Sequence, residues 1–495
     1  MMPRSLASFS RRVRSGDSDA RRRGALMKLS LQQLSRTLGC RLPEHALGSW
    51  VTGVSTDTRS IAPGDCFVAL RGDNFDGHHF IPQAIEAGAR IVVCDHTDSD
   101  PNESGEVTML VVPDTLFALG EIARLWRFEN HHVPTAAIVG SNGKTTTKEM
   151  MAALLGGGRE LLVTEGNLNN LVGVPRMVFG LRPDHRVAVL EAGMNQAGEL
   201  GRLVGIIQPQ CVALTNISNA HVGNFGSQEA LYRAKCEALE SAPADALLVM
   251  NADDKLSRRA RVEFARGRRC ITFGMDESAD VRATDVVALQ PYGYAFRLHL
   301  PEDEAAGRQV ELRVFGRHNI SNALCAAATA QALGAAPADI APRLGGFSAG
   351  LNRSEVEDMG GWHLVKDYYN ASPAAVENAL RSLQDFHVSG RRYAVLADML
   401  ELGDMEHDFH AHIGAVAAAS GLDMLLTVGE RAKIIHETAT KAGLSAQHFA
   451  DAAIAAEHLR GLLQTGDLLL VKGSRLMKLE RIYDLLKETP PGGSR

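Results

Sequence analysis

The sequence predicts an α/β protein of three domains whose sheets are mainly parallel. Three observations carry this. At 495 residues the chain is too long for a single hydrophobic core. Short apolar runs recur with helical stretches between them, the pattern of a parallel sheet covered by helices. The runs fall into two groups, 136–139 to 246–250 and 362–365 to 468–471, so two large sheets are expected behind a smaller first domain.

Residues 1–27 stand apart. Seven arginines and five serines crowd this stretch and no apolar segment follows. It lacks the core of a secretory signal. It is read as a disordered extension, with the functional chain beginning near Met27. The first domain is placed at 28–113. Leu29 to Leu38 reads as a short helix, Cys66-Phe67-Val68-Ala69-Leu70 as a strand, Ile81 to Ala89 as a helix and Ile91-Val92-Val93-Cys94 as a second strand. By themselves, Ser55-Thr56-Asp57 and Asp76-Gly77-His78 read as turn and cap residues.

The second domain, 114–346, contains the most informative stretch. Ala136 to Val139 leads into Gly140-Ser141-Asn142-Gly143-Lys144-Thr145-Thr146, and a helix-forming run follows from Lys148. Strand, Gly-rich turn and helix in that order make a phosphate-binding loop, although only two residues separate its glycines. Backbone N–H groups converge on an anion there and the helix dipole adds positive potential. Lys144 is expected on the β- and γ-phosphates of a nucleotide, and the Thr145 or Thr146 hydroxyl on Mg²⁺.

Polar residues where the neighbouring strands end are informative too, because parallel sheets bind ligands at those ends. Glu191 follows one strand, Asn216, Asn219 and His221 the next, and Asn251, Asp253 and Asp254 a further one. Glu191 and His221 are expected to face the loop and a shared hard cation. Lys235, inside a helical stretch, reads from spacing alone as a solvated surface lysine. Asn319 and Asn322 share a helical face and could bind a base edge or cap the helix.

The third domain, 347–495, repeats the strand-then-helix order with no phosphate loop of its own. Asp367, Asp398, Gly429-Glu430 and Lys472-Gly473-Ser474-Arg475 follow its strands, and the tail from Pro490 reads as disordered. A net charge of −6 gives no support for nucleic-acid binding. No run approaches the ~18 apolar residues of a membrane span. Seven scattered cysteines without a C-x-x-C pair fit reduced thiols in a cytoplasm.

Taken together, the motifs resemble those of the Mur ligases, ATP-dependent amino-acid ligases of peptidoglycan synthesis. The resemblance spans about 28–487. It rests on Ser55 to Arg59 with Phe75 to His78, on Gly140 to Thr146, and on Asn167 to Pro175. Further on it rests on Glu191 to Asn195, Asn219-Ala220-His221, Tyr232 to Lys235, His318 to Asn322, Asp367 to Ala371, Asp398 to Gly403 and Lys472 to Arg475. Asp398 to Gly403 and Tyr369-Asn370-Ala371 are most similar to the branch that adds D-alanyl-D-alanine, although Lys366, Tyr368 and Ser372 depart from its pattern.

The resemblance implies a small N-terminal α/β domain for the UDP-linked substrate, a central P-loop ATPase domain and a C-terminal Rossmann-like domain on the D-alanyl-D-alanine side. It implies a soluble, cytoplasmic monomer that joins D-alanyl-D-alanine to UDP-N-acetylmuramoyl-tripeptide through an acyl phosphate, with ATP and Mg²⁺. Lys144, Glu191, His221 and Lys235 would be catalytic. Gly140, Ser141, Asn142, Gly143, Lys144, Thr145, Thr146, His318, Asn319, Asn322, Arg353 and Asp367 would bind ATP. Ser55, Thr56, Asp57, Asp76, Gly77, His78, Asn169 and Asn170 would bind the UDP substrate. Thr145, Glu191, His221 and a carbamylated Lys235 would hold metal. Two alternatives stay open: another amide ligase of the same superfamily, and a nucleotide switch that ligates nothing.

Overall fold

The computed structural model describes residues 27–72, 75–96, 106–218, 223, 225–303 and 307–488. The extension read at 1–26, the tail from Pro490, and Asn219, Ala220 and His221 lie outside the described residues. The described residues fall into two compact units, one from 27 to 130 with 178–184, the other from 131 to 177 with 185 to 488.

The first unit holds a four-stranded, all-parallel sheet in the order Val54–Ser55, Cys66–Val68, Ile91–Cys94, Thr108–Val111. The strand Ile91–Cys94 is buried on both faces, which is why it reads as an unbroken apolar run. The helix Thr115–Glu129 starts at Asp114, whose Oδ1 accepts the Phe117 N–H at 2.8 Å. The Trp126 indole donates to the Leu181 carbonyl at 2.9 Å, which ties the 178–184 segment to this unit.

The second unit contains two sheets. The larger has nine strands, ordered Leu161–Val163, Val187–Glu191, Thr135–Val139, Cys211–Leu214, Leu247–Asn251, Cys270–Gly274, Val281–Ala288, Tyr294–His299, Arg308–Leu312. The first seven run parallel and the last two complete an antiparallel meander. From Thr135–Val139 the chain leaves to one side of the sheet and then crosses to the other at Cys211–Leu214. That reversal is where an open parallel sheet offers a crevice. Register places Ile138 beside Glu191 and Val139 beside Leu214, so the ends of three strands meet at the Gly-rich loop.

The smaller sheet is ordered Glu355–Asp358, His363–Asp367, Leu468–Lys472, Arg392–Ala397, Met424–Val428, Ala446–Phe449, with only the first pair antiparallel. Every parallel strand expected from the apolar runs forms, within a residue or two. The meander from Val281 was not read in advance. Its strands alternate between buried and exposed faces, and that weaker signal is easily taken for loop.

The strand Leu468–Lys472 sits between two neighbours and is wholly buried. Leu470→Ala in it is expected to cost about 2–5 kcal/mol through the cavity left behind. Val262→Ala, at a position 77% exposed, should stay within ~0.5 kcal/mol. Guanidinium unfolding midpoints of the two variants check this.

Candidate active site

The loop leaves the strand Thr135–Val139 through Gly140, at φ 132°, and enters the helix Lys144–Leu154 through Gly143, at φ 82°. Both angles favour glycine, and space demands it as well. The Thr215 hydroxyl stands where a Cβ on residue 140 would lie, and Asn322 Oδ1 where one on residue 143 would lie. The loop is pinned from the next strand end. Ser141 N–H donates to the Asn216 carbonyl at 2.9 Å, Asn142 N–H to Asn216 Oδ1 at 3.2 Å, and Asn142 Nδ2 to Ser218 Oγ at 2.8 Å. Thr215 Oγ1 donates to the Asn142 carbonyl at 2.7 Å. The helix start has no side-chain cap and no acidic residue in its first turn, so its N–H groups stay open to an anion.

Lys144 folds back over the loop and donates to the carbonyls of Gly140, at 2.9 Å, and Ser141, at 3.1 Å. Lys235 Nζ reaches the same Gly140 carbonyl at 3.4 Å. This corrects the spacing-based reading of Lys235. Its residue is 2% exposed on the inner face of the helix Gln228–Glu240, not solvated. Burial, and then the neighbouring Lys144, push its amine well below the usual ammonium range. Burial lowers Lys144 too, against the pull of Glu191.

Glu191 is 3% exposed where its strand ends. Its carboxylate accepts the Thr145 hydroxyl at 2.8 Å and the Asn169 amide at 2.8 Å. Thr146 lies half-buried in the same helical turn. Asn251 and Asp254 act as braces, Asn251 Nδ2 on the Thr215 carbonyl and Asp254 as the N-cap of Lys255–Phe264. Asp253 accepts the backbone N–H groups of Met275 and Asp276.

His318 opens the helix His318–Ala332, and burial pulls its imidazole down to about 4 although Asp367 opposes this. Its Nδ1 has no partner among the described residues. Asn319 and Asn322 bond locally: Asn319 Nδ2 donates to the Phe315 carbonyl and Asn322 Nδ2 to Asn319 Oδ1, both at 2.8 Å. Asp367 accepts the buried Lys472 ammonium at 2.7 Å. The Arg353 guanidinium stacks 3.7 Å from the centre of the Tyr369 ring.

In the first unit the turn reading holds. Asp57 caps a short turn through the Arg59 N–H at 3.0 Å, and Ser55 Oγ donates to the Asp57 carbonyl at 2.9 Å. Thr56 lies half-buried between them. Asp76 Oδ1 accepts the His78 N–H, and His78 Nδ1 lies 2.6 Å from the same oxygen. The Asp95 N–H donates to His78 Nε2 at 3.1 Å, so the ring proton sits on Nδ1. These bonds hold Asp76 well below the usual carboxylate range. Gly77 lies where a Cβ would meet the Leu70 backbone at 2.7 Å. In the second unit, Asn170 Oδ1 accepts the N–H groups of Val172 and Gly173.

Several supporting residues were not singled out from sequence. Thr215 and Ser218 shape the loop, Thr164 Oγ1 accepts the Glu191 N–H at 2.8 Å, and the buried Lys148 donates to the Thr164 carbonyl at 2.9 Å. Only Lys472 carried a signal, its place in the Lys472-Gly473-Ser474-Arg475 group where a strand ends. Lys366, a departure from the family pattern, is paired with Glu355 at 2.8 Å and Glu357 at 2.7 Å on the adjoining strand.

Comparison with known proteins agrees with this geometry. Residues 51–127, 138–330 and 352–475 match, in turn, the Mur ligase family catalytic domain, the Mur ligase middle domain and the Mur ligase glutamate ligase domain. The chain is 33% identical over 443 residues to the UDP-N-acetylmuramoyl-tripeptide–D-alanyl-D-alanine ligase of Bacillus subtilis (strain 168), covering 89% of this chain and 94% of that one. It is 34% identical over 472 residues to the Escherichia coli (strain K12) enzyme of the same name, covering 94% and 99%. A crystal structure of MurF from Acinetobacter baumannii superposes with a TM-score of 0.83 at 32% identity, covering 94% of this chain and 100% of that one. MurF from Thermotoga maritima, solved in complex with ADP, superposes with a TM-score of 0.76 at 25% identity, covering 88% and 97%. The chain therefore belongs to the Mur ligase family, and it matches MurF-type ligases over most of its length.

Proposed function

We propose that this protein is an ATP-dependent, ADP-forming ligase that joins D-alanyl-D-alanine to UDP-N-acetylmuramoyl-tripeptide, yielding the pentapeptide precursor of peptidoglycan. The observation that carries this is the meeting of two lysine amines on one carbonyl of an open phosphate loop, in a chain matching ligases of that name over most of its length. A peptide carboxylate attacks the γ-phosphorus of ATP, giving an acyl phosphate and ADP. The dipeptide amine then attacks the acyl carbon, loses a proton, and phosphate leaves. The first step brings two anions together, so neutralising charge and fixing geometry are the main tasks.

Lys144 and the open helix N-terminus take the phosphates. Glu191 and Thr145 offer hard oxygens 2.8 Å apart, the donor type Mg²⁺ prefers, and they are the residues that would hold it. When bound, Mg²⁺ neutralises phosphate charge. Lys235 suits that neighbourhood only as an uncharged amine or as a carbamate. Its surroundings favour the neutral amine, the form that adds carbon dioxide and releases a proton to give a carboxylate-like group. His221 is assigned to the same metal. His318, Asn319, Asn322, Arg353 and Asp367 are assigned to the nucleotide. Ser55, Thr56, Asp57, Asp76, Gly77, His78, Asn169 and Asn170 are assigned to the UDP substrate.

In this reading residues 28–113 form the UDP-substrate domain, 114–346 the ATP domain and 347–495 the incoming-dipeptide domain. The enzyme acts as a cytoplasmic monomer. No helix among the described residues is long and apolar enough to cross a membrane, which accords with soluble substrates.

Phosphate release measured with D-alanyl-D-alanine against single amino acids tests the reaction, and only the dipeptide should support it. Lys144→Ala should lower kcat by at least about a hundredfold, with an unchanged melting curve. Turnover close to that of the parent would remove the ATP-site assignment. Lys235→Ala should lose most activity and regain part of it in millimolar formate or acetate, read by the same assay. Full activity without added acid would return Lys235 to a structural role.

A further inference from the structure

The mechanism above leaves one half-buried carboxylate on the phosphate-loop helix without a task. Glu149 lies on the helix Lys144–Leu154, just over a turn past Lys144. Its Oε2 is sealed from solvent and has no hydrogen-bond partner among the described residues. Leaving a carboxylate oxygen in that state is costly. We propose that Glu149 is a positioning residue for ATP, which seats the turn Gly350 to Ser354 on the phosphate-loop helix and so aims Arg353 at the nucleotide. The proposal rests on the assignment of Arg353 to ATP.

The fit is close. Glu149 Oε2 stands where a Cβ on residue 350 would lie, so the turn rests on the helix only because that residue is glycine. Arg353 N–H closes the turn by donating to the Gly350 carbonyl at 3.2 Å. Both neighbours of Arg353 are left-handed, Asn352 at φ 60° and Ser354 at φ 54°. Residues with a Cβ keep such angles only where their surroundings hold them. Here Asn352 N–H donates to Glu355 Oε2, the Asn352 carbonyl accepts the Tyr369 N–H, and Ser354 N–H donates to Asp367 Oδ1, each at 3.2 Å. Tyr369 also supplies the ring on which the Arg353 guanidinium stacks. The turn is thus fixed to the smaller sheet on one side, and Glu149 meets its other side from the larger one.

The charges agree with the fit. The Arg353 guanidinium is felt at Lys144, Lys148 and Glu149. The two lysines repel it and Glu149 attracts it. Burial raises the Glu149 carboxyl above its usual range, and Lys148 and Arg353 draw it back down. A third cation can stay beside two others only where an anion offsets them. Glu191 is engaged by Thr145 and Asn169, which leaves that task to Glu149.

Calorimetric titration of ATP into the full chain, with Mg²⁺ and no other substrate, reads the site without turnover. Glu149→Gln should raise Kd for ATP about 5- to 30-fold, and Arg353→Ala by at least as much. Combined in one protein, the two changes should do no more than Arg353→Ala alone, because Glu149 works through that arginine. Gly350→Ala keeps both charges but displaces the carboxylate, and should give part of the same loss. In the phosphate-release assay KM for ATP should rise in step, while KM for the UDP-tripeptide and for the dipeptide stay at the parent's values. A parental Kd in Glu149→Gln, or losses that add in the double variant, overturns the proposal alone. A parent chain that binds no ATP overturns the ATP-site reading and the proposal with it.

Discussion

The structure depends on two places where a Cβ has no room. Thr215 Oγ1 fills one at Gly140 and Asn322 Oδ1 the other at Gly143. The loop is thereby wedged between the end of a neighbouring strand and the helix His318–Ala332. The N–H groups of the uncapped helix start that follows it are held in place before any ligand arrives, so little reorganisation is left for the moment of reaction. The polar residues behind Thr215 and Asn216 serve the same end, because each brace fixes the loop one step further from the phosphates.

This wedge also sets the electrostatics. Lys144, Lys148 and Lys235 converge on a region whose nearest buried carboxylate is Glu191, itself occupied by a hydroxyl and an amide. Burying amines without matching anions is unfavourable. Carbonyls of Gly140, Ser141 and Thr164 receive the N–H groups of these amines, and burial favours the uncharged form of Lys235. In the proposed reaction a polyanion entering the loop would meet a field already in place, with Lys144 the amine positioned to exchange its carbonyl partners for phosphate oxygens.

Much of this was legible in the residues, and the gaps have physical causes. The central parallel strands are buried on both faces, so their apolar runs survive any reading and the polar residues ending them stand out by contrast, whereas the partly exposed parallel strands Leu161–Val163, Thr108–Val111 and Ala446–Phe449 carry no such run. Asp57 and Asp76 were legible as caps because capping is local. Lys235 was not legible as buried, since helical spacing cannot say which neighbour covers a face. Thr215 and Ser218 are small polar residues whose value appears only when two distant segments meet. The pairing of Lys366 with Glu355 and Glu357 required the antiparallel register that sets 355 opposite 366.

The helix Pro373–Ser382 is fastened near both ends to the larger sheet's half of the unit. Ser372 Oγ donates to Asn142 Oδ1 at 2.9 Å, and Ser382 Oγ accepts the Arg317 N–H at 3.1 Å. Just beyond, the Tyr294 hydroxyl donates to Asp385 at 2.7 Å. Ten helical residues make a rod of about 15 Å. A rod pinned at both ends fixes a direction as well as a distance. Sliding the smaller sheet along that line, or tilting it across, would break one of these bonds and open the apolar contact of Phe386 with Tyr294 and Phe315. Each bond is worth about 1 kcal/mol net, so either end alone is cheap to release, the one that touches the phosphate loop included.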